Sequence, residues 1–277
     1  MTSETFIHPS AVVEAGAKLG AGVRIGPFCY VSADAVIGDR VELVSHVSVL
    51  GATTVGEGTK VYPMATLGAP PQNNKHKGGR TTLRIGSNCT IREGVTMHLG
   101  TDTSRGETIV GDNGNFLAYA HIAHDCIVGD NVTFANGATL GGHVEVGNNV
   151  TIGGLTAVHQ FVRIGDNAFI GGCSAVVGDV IPFAIAAGNR AKLRGLNIIG
   201  LRRSGLPREE IQLLRRTYRT IFDRSHPVAE NIAIARDEYA SSPIAMKIVD
   251  FISSRGKRHY AVPPLKGVVD DDADDEG

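Results

Sequence analysis

Glycines in this chain recur with a period of eighteen. The pairs Leu19-Gly20, Ile37-Gly38 and Val55-Gly56 lie eighteen residues apart, and so do Val110-Gly111, Val128-Gly129, Val146-Gly147 and Ile164-Gly165. Ile85-Gly86 stands between the two sets, thirty residues after Gly56 and twenty-five before Gly111, so the period survives two insertions of twelve and seven residues. Hexads led by an aliphatic residue recur within each period, and three hexads close one triangular coil of a parallel β-helix. A single coil cannot bury its own apolar side, so the coils must stack. The pattern predicts a mainly β fold, a rod of about ten coils from Ile7 to Gly188, roughly 48 Å long at about 4.8 Å per coil. Function then depends on what interrupts the period and on what lines one edge of the rod.

Composition agrees with a narrow interior. Only 5% of the 277 residues are aromatic and none is Trp, which leaves Val, Ile, Leu, Ala and Thr to fill the coils. A formal net charge of -1 argues against a nucleic-acid partner. No run of eighteen apolar residues and no secretory signal pattern at Met1 to Pro9 occurs, so no membrane span and a cytoplasmic location are expected. Cys29, Cys89, Cys126 and Cys173 form no C-x-x-C pair and read as small, reduced core residues.

The first insertion, Ala69 to Arg80, reads APPQNNKHKGGR and is too polar and too punctuated by Pro and Gly to be a coil edge. It is either a tolerated surface insertion or a loop carrying binding groups, which concentrate on loops held by a rigid scaffold. The second, Gly100 to Glu107, reads GTDTSRGE, a short polar bulge. After Gly188 the period stops. Pro207 with Arg208-Glu209-Glu210 opens a helix to about Arg224, with Ile211, Leu214, Tyr218, Ile221 and Phe222 on one face. Pro227 to Tyr239 and Ile244 to Ser254 read as two more. The expected organisation is a rod over residues 1–189 with the loop 69–80 inserted, a helical unit over 190–267, and a disordered acidic tail over 268–277. Arg190, Lys192, Arg194, Arg202, Arg203, Arg208, Arg215, Arg216 and Arg219 cluster where rod and helices meet, either as a solvated face or as contacts for a diphosphate or an acidic partner protein.

Five of the ten histidines crowd into one third of successive coils. Counted from the Gly of its own coil, His98 is at offset twelve, His121 at ten, His124 at thirteen, His143 at fourteen and His159 at twelve. Equal offsets in a stacked solenoid form a vertical column, so His124, Gly142 and Gln160, all at offset thirteen, should lie one coil apart. Packing alone does not call for a column of histidines on a rod edge, and histidine suits proton transfer near neutral pH. A zinc site is the competing chemistry, because gamma-type carbonic anhydrases use the same rod with histidines on zinc. A non-catalytic scaffold with satisfied histidines is the third reading.

Several segments resemble the bacterial UDP-N-acetylglucosamine acyltransferases that begin lipid A synthesis. They are AHIAHDCIVGDNVTFANGATLGGHVEVG (Ala120 to Gly147), GGLTAVHQFVRIG (Gly153 to Gly165), GGCS (Gly171 to Ser174), AAGNRA (Ala186 to Ala191) and GLNIIGLRR (Gly195 to Arg203). The match is collinear over essentially the whole chain. It implies a left-handed β-helix, a homotrimer with sites between neighbouring rods, and no cofactor or metal. The implied reaction moves an (R)-3-hydroxyacyl chain from acyl carrier protein to the 3-position of the UDP-amino sugar.

By this resemblance His124 would be the general base, a role worth about 10² to 10⁴-fold. Asp125 would orient it or stabilise its charge, against the tendency of adjacent strand residues to face opposite ways. The Gly142 N–H would be the oxyanion donor, where a glycine leaves room for the thioester carbonyl. Gln72, Asn73, Lys75, His121, His143 and Gln160 would hold the nucleotide sugar, with His98 and His159 touching sugar or acyl donor and Asn197 and Arg203 meeting the uridine and phosphates. Gly172 would leave the acyl groove open, and Phe169, one groove wall away, would shorten it. The chain departs from better-known members at Asn73 and Ile199, where they carry acidic residues. A carboxylate beside a 3-amino group would keep the amine protonated and non-nucleophilic, whereas a neutral Asn would not. The acceptor is therefore open between the 3-hydroxyl sugar and its 3-amino analogue.

Overall fold

A computed structural model describes residues 4–254 and 257–264. The tail expected over 268–277 lies outside these residues. Among the described residues, three sheets of eleven, nine and eight strands run along the rod, the last strand of the first sheet lying beyond the coils, and in the regular coils each strand pairs in parallel with those eighteen residues away. Most strands have two residues, the first half-exposed and the second buried, so one side chain per short strand points inward. Register in the third sheet survives both insertions, Ile85 pairing with Val55 on one side and with Val110 on the other, whereas the strand that enters the first insertion slips between Leu67 and Ala69.

The period of eighteen has a steric cause. A Cβ on Gly111 would lie 2.3 Å from Oδ1 of Asp130, on Gly129 2.5 Å from Oδ1 of Asn148, and on Gly147 2.4 Å from Oδ1 of Asp166. Those same oxygens accept backbone N–H groups from the coil before, at 2.7 Å for Asp112 N, 2.8 Å for Asp130 N and 2.9 Å for Asn148 N. Each glycine thus makes room for a side-chain ladder that joins successive coils. The following corners use Asn113, Asn131, Asn149 and Asn167 at φ between 56° and 59°, a conformation Asn tolerates better than most residues.

The interior is aliphatic, with Phe116 and Phe134 packed edge to face at 5.2 Å. Cys29, Cys89 and Cys126 are buried thiols, and burial pushes the last two up to about 11 and about 12. Cys173 departs from the expected core position. It is exposed, because it falls on a corner at φ 53° rather than on an inward strand position.

Past the last coil, Lys192–Leu196 adds an antiparallel strand to Ala184–Ala187. Helices follow: α1 (Ile198–Arg203), α2 (Arg208–Ile221), α3 (Val228–Glu238) and α4 (Pro243–Ser253). The last three agree with the sequence reading; α1, one and a half turns long, gave no periodic signal. Helix α2 buries Ile211, Leu214 and Ile221, with Tyr218 and Phe222 packed at the margin. Arg163 fastens α4 to the rod. Its guanidinium donates to Asp179 Oδ2 at 2.8 Å, to Ser254 O at 2.9 Å and to Phe251 O at 3.2 Å, and lies 4.5 Å above the Phe251 ring.

Candidate active site

The strand His121–Ile122 ends at a corner where Asp125 adopts φ 59°. This left-handed turn removes the strand alternation that would have set Asp125 apart from its neighbour. The Nδ1 of His124 lies 2.8 Å from Oδ2 of Asp125, and both residues are buried. The carboxylate is saturated with donors. Oδ1 accepts the N–H of Thr101 at 3.1 Å and of Gly106 at 3.2 Å, and Oδ2 also accepts the Thr101 hydroxyl at 2.7 Å. Burial works to raise the Asp125 pKa, but the donors of Thr101 and His124 and the nearby His143 outweigh it and leave it lowered. An ionised Asp125 puts the proton of neutral His124 on Nδ1 and leaves Nε2 as a lone-pair acceptor.

Nε2 faces two groups the sequence singled out. A Cβ on Gly142 would lie 2.7 Å from it and 2.5 Å from Cε1, so the expected stacking of Gly142 on His124 is present and only a glycine fits there. Nδ2 of Asn73, from the first insertion, lies 3.4 Å away. Oδ1 of Asn73 takes the N–H of Lys75 at 2.9 Å, which fixes the amide with its NH₂ toward the imidazole. His124 and Asn73, together with Gln72, Lys75, His143, Gln160 and Phe161, line one cleft of about 580 Å³, a size usual for small-molecule sites. The first insertion is therefore part of the site.

The remaining histidines form a shell. His143 stacks on Phe161 at 4.4 Å and meets His124 edge-on at 5.0 Å; burial is the main cause of its lowered pKa. His121 donates to or accepts from the Thr96 hydroxyl at 2.7 Å, and burial pushes its pKa down to about 4. His98 packs edge-on against His121 at 4.9 Å, is buried with Nδ1 unpartnered, and is likewise held low by burial. His159 sits at the rim beside Gln160, with its Nδ1 2.7 Å from Arg258 Nη2.

Four expected site residues lie apart from the cleft. Asn197 caps α1 through Gly200 N at 3.0 Å and donates to Asn167 O at 3.1 Å, and Arg203 is exposed in the last turn of α1. Phe169 and Gly172 are exposed in the coil that follows the one carrying Gln160. Conversely, sequence reasoning missed Thr101, Gly106 and Lys257. Lys257 reaches the cleft from beyond α4 and stands 4.2 Å over the Phe161 ring. A Thr in a polar bulge and a Lys in a polar tail carry no pattern that would have marked them.

His124, Asp125 and His143 bring one ligand atom each within 4.8 Å of one another, the arrangement a zinc site would need. Both oxygens of Asp125 are already taken by four N–H and O–H donors, and Nδ1 of His124 is spent on one of them. What is left is two imidazoles, short of the three protein ligands of a catalytic zinc. The donor set fits a base held by a carboxylate.

Comparison with known proteins agrees. Residues 179–260 match the family described as Udp N-acetylglucosamine O-acyltransferase, domain 2, and residues 16–51 and 107–142 match the bacterial transferase hexapeptide family. A Mesorhizobium japonicum protein named acyl-[acyl-carrier-protein]–UDP-N-acetylglucosamine O-acyltransferase is 83% identical over 276 residues, covering 100% of this chain and 99% of its own. One of the same name from Brucella ovis is 60% identical over 262 residues, covering 95% and 94%. The solved UDP-N-acetylglucosamine acyltransferase of Campylobacter jejuni superposes with a TM-score of 0.87 at 41% identity, covering 93% of this chain and 100% of that one. Fold, repeats and relatives agree over essentially the full length, and the chain belongs to the acyl-[acyl-carrier-protein]–UDP-N-acetylglucosamine O-acyltransferase family.

Proposed function

We propose that the protein carries out the first step of lipid A synthesis, transferring an (R)-3-hydroxyacyl chain from acyl carrier protein to the 3-position of a UDP-amino sugar. The observation that carries this reading is the placement of His124, whose Nδ1 lies 2.8 Å from Asp125 Oδ2 while its Nε2 lies 3.4 Å from Asn73 Nδ2 and against Gly142. In the reaction His124 takes the proton of the attacking 3-substituent through Nε2. The Gly142 N–H stabilises the oxyanion formed on the thioester carbonyl; its collapse breaks the C–S bond, and the proton held by His124 passes to the departing sulfur of the carrier. Gln72, Lys75, His143 and Gln160 hold the sugar nucleotide, with His98, His121 and His159 behind them.

The neutral Asn73 favours the 3-amino sugar as acceptor and an amide product. Its amide nitrogen stands 3.4 Å from Nε2 of His124, and it exerts no pull that would keep an amine protonated.

Asn197, Arg203, Phe169 and Gly172 serve a cleft completed by a neighbouring rod of a homotrimer. Two features support this: the four lie outside their own chain's cleft, and the corner residues Phe28, Met64, Tyr119 and Leu155 are exposed apolar side chains at positive φ. Within the described residues, the part up to 189 acts as the rod and the part from 190 as the helical unit. Arg202, Arg208 and Arg215 line one groove there and would receive the acidic carrier protein. Among the described residues no helix is long and apolar enough to cross a membrane, and we assign the enzyme to the cytoplasm.

Product mass spectrometry tests the reading. The purified protein is incubated with 3-hydroxyacyl carrier proteins and equal amounts of UDP-N-acetylglucosamine and its 3-amino analogue, with His124→Ala as control. An amide product absent from the control is expected. An ester alone would remove the amine preference, and no product from either sugar would return the histidine column to a structural role.

A further inference from the structure

The second insertion of the rod turns inward. Thr101 is fully buried although its segment is polar. It gives Asp125 two donors, the hydroxyl at 2.7 Å to Oδ2 and the N–H at 3.1 Å to Oδ1. Gly106 adds a third at 3.2 Å, and the Asp125 N–H donates back to Thr108 Oγ1 at 2.9 Å. A Cβ on Gly100 would lie 2.2 Å from Glu107 N, so the two ends of the insertion touch and only glycine allows the closure.

The next residue points the other way. Asp102 accepts the N–H of Lys77 at 3.1 Å and of Gly79 at 2.9 Å, and meets His76 Nδ1 at 3.2 Å. The Gly79 N–H leads the causes that hold its carboxyl below the ordinary range. All three partners belong to the first insertion, a few residues beyond Asn73. Two adjacent side chains thus grip the two halves of the cleft.

We propose that Thr101 and Asp102 are the positioning residues of this site: Thr101 fixes the Asp125–His124 pair, and Asp102 fixes the loop that carries Asn73 above it. The inference rests on the reading of His124 as the base. Oδ2 is shared between the Thr101 O–H and the His124 Nδ1–H. Without the hydroxyl the carboxylate is a better acceptor and favours the charged imidazolium, which cannot act as a base. The other titratable groups facing the pair are His98 and His121 on the adjoining strands, His143 on the next corner, Cys126 beneath it, and Arg105 and Lys257 at the mouth. All are retained in the variants below.

The test compares T101V, T101S, D102N and H124A in the full-length enzyme by steady-state kinetics against pH, with melting temperatures. For T101V, kcat should fall about ten- to a hundredfold, part of the span a positioned base commands. KM for both substrates should stay near wild type, and the acid limb of kcat/KM should move to higher pH. T101S keeps the hydroxyl and should restore both. D102N should raise KM for the sugar nucleotide and leave the acid limb in place. A T101V enzyme with wild-type kcat and profile, or a T101S enzyme as impaired as T101V, overturns the role of Thr101; wild-type KM in D102N overturns that of Asp102. If T101V does not fold, T101A against T101S decides on the same criterion. Wild-type activity in H124A would show that the base assignment itself had failed, and this inference with it.

Discussion

The amide nitrogen of Asn73 lies 3.4 Å from Nε2 of His124, fifty-one residues further along the chain. Because Oδ1 is tied to Lys75 N, only the NH₂ edge is offered to the imidazole and to whatever binds between them. Asn73→Asp would put a carboxylate oxygen against an unprotonated Nε2, a contact relieved when an acceptor hydroxyl supplies the proton between them. A carboxylate there would also hold a bound amine in its charged form. The substitution should therefore turn the product mixture from amide toward ester, by about tenfold or more, since 1.4 kcal/mol of differential interaction suffices. Competition between the two sugars, read by mass spectrometry, checks this; an unchanged ratio would sink it.

Asp125→Asn should change the tautomer of His124. The asparagine must keep its oxygen on the Thr101 and Gly106 N–H groups, which turns its NH₂ toward Nδ1. His124 then carries its proton on Nε2 and has no lone pair for the substrate. A fall in kcat of about 10² to 10⁴-fold is expected, with the protein still folded by circular dichroism. A variant within threefold of wild type would contradict the tautomer argument.

Gly142→Ala tests the close approach. The new methyl would start 2.5 Å from Cε1 of His124, a ring that Asp125 holds in place. Either the ring tilts out of its hydrogen bond or the coil shifts, and overpacking of this kind costs about 1–3 kcal/mol. The expected outcome is a large loss of kcat with a modest fall in melting temperature. Full activity would mean that the thioester carbonyl does not approach at this backbone.

The rod was legible because its steric rule repeats: every ladder oxygen needs a glycine opposite, and glycine spacing can be counted. The same count placed Gly142 on His124 and drew in Gln160. The pairing of His124 with Asp125 was not legible, since strand alternation separates neighbours and nothing in H-D-C announces a corner at φ 59°. Thr101 and Lys257 escaped for another reason. One reaches Asp125 across 24 residues and the other stands over Phe161 from beyond the last helix, and such contacts exist only once the chain has folded. Nor could the period tell that Asn197 caps a helix in its own chain.

The buried histidines predict a pH dependence of stability. His121 titrates at about 4 in the folded protein against an ordinary 6.5, chiefly through burial, and His98 and His143 are shifted the same way. Between those limits the unfolded chain binds protons that the folded chain refuses, so stability falls as pH drops through 6.5 toward 4. Melting temperature should decline over that window, and His121→Gln should flatten the decline. An equal slope in the variant would assign the effect elsewhere.

Arg163 predicts how firmly the helical unit is held. It joins Asp179 on the rod to the C-terminal end of α4, and both side chains are largely removed from water at 19% and 1% exposure. Burial raises the Asp179 pKa and the Arg163 hydrogen bonds work to lower it, so removing the guanidinium leaves an uncompensated buried carboxylate. Arg163→Met should cost about 3–5 kcal/mol in urea unfolding. Part of that cost lies in the stranded charge rather than in the lost contacts to Ser254 and Phe251. The double variant Arg163→Met/Asp179→Asn should therefore be more stable than Arg163→Met alone, because the asparagine can still accept the backbone N–H of residue 163 that Asp179 Oδ1 accepts at 2.8 Å. A double variant no more stable than the single would place the whole effect in the severed link to α4.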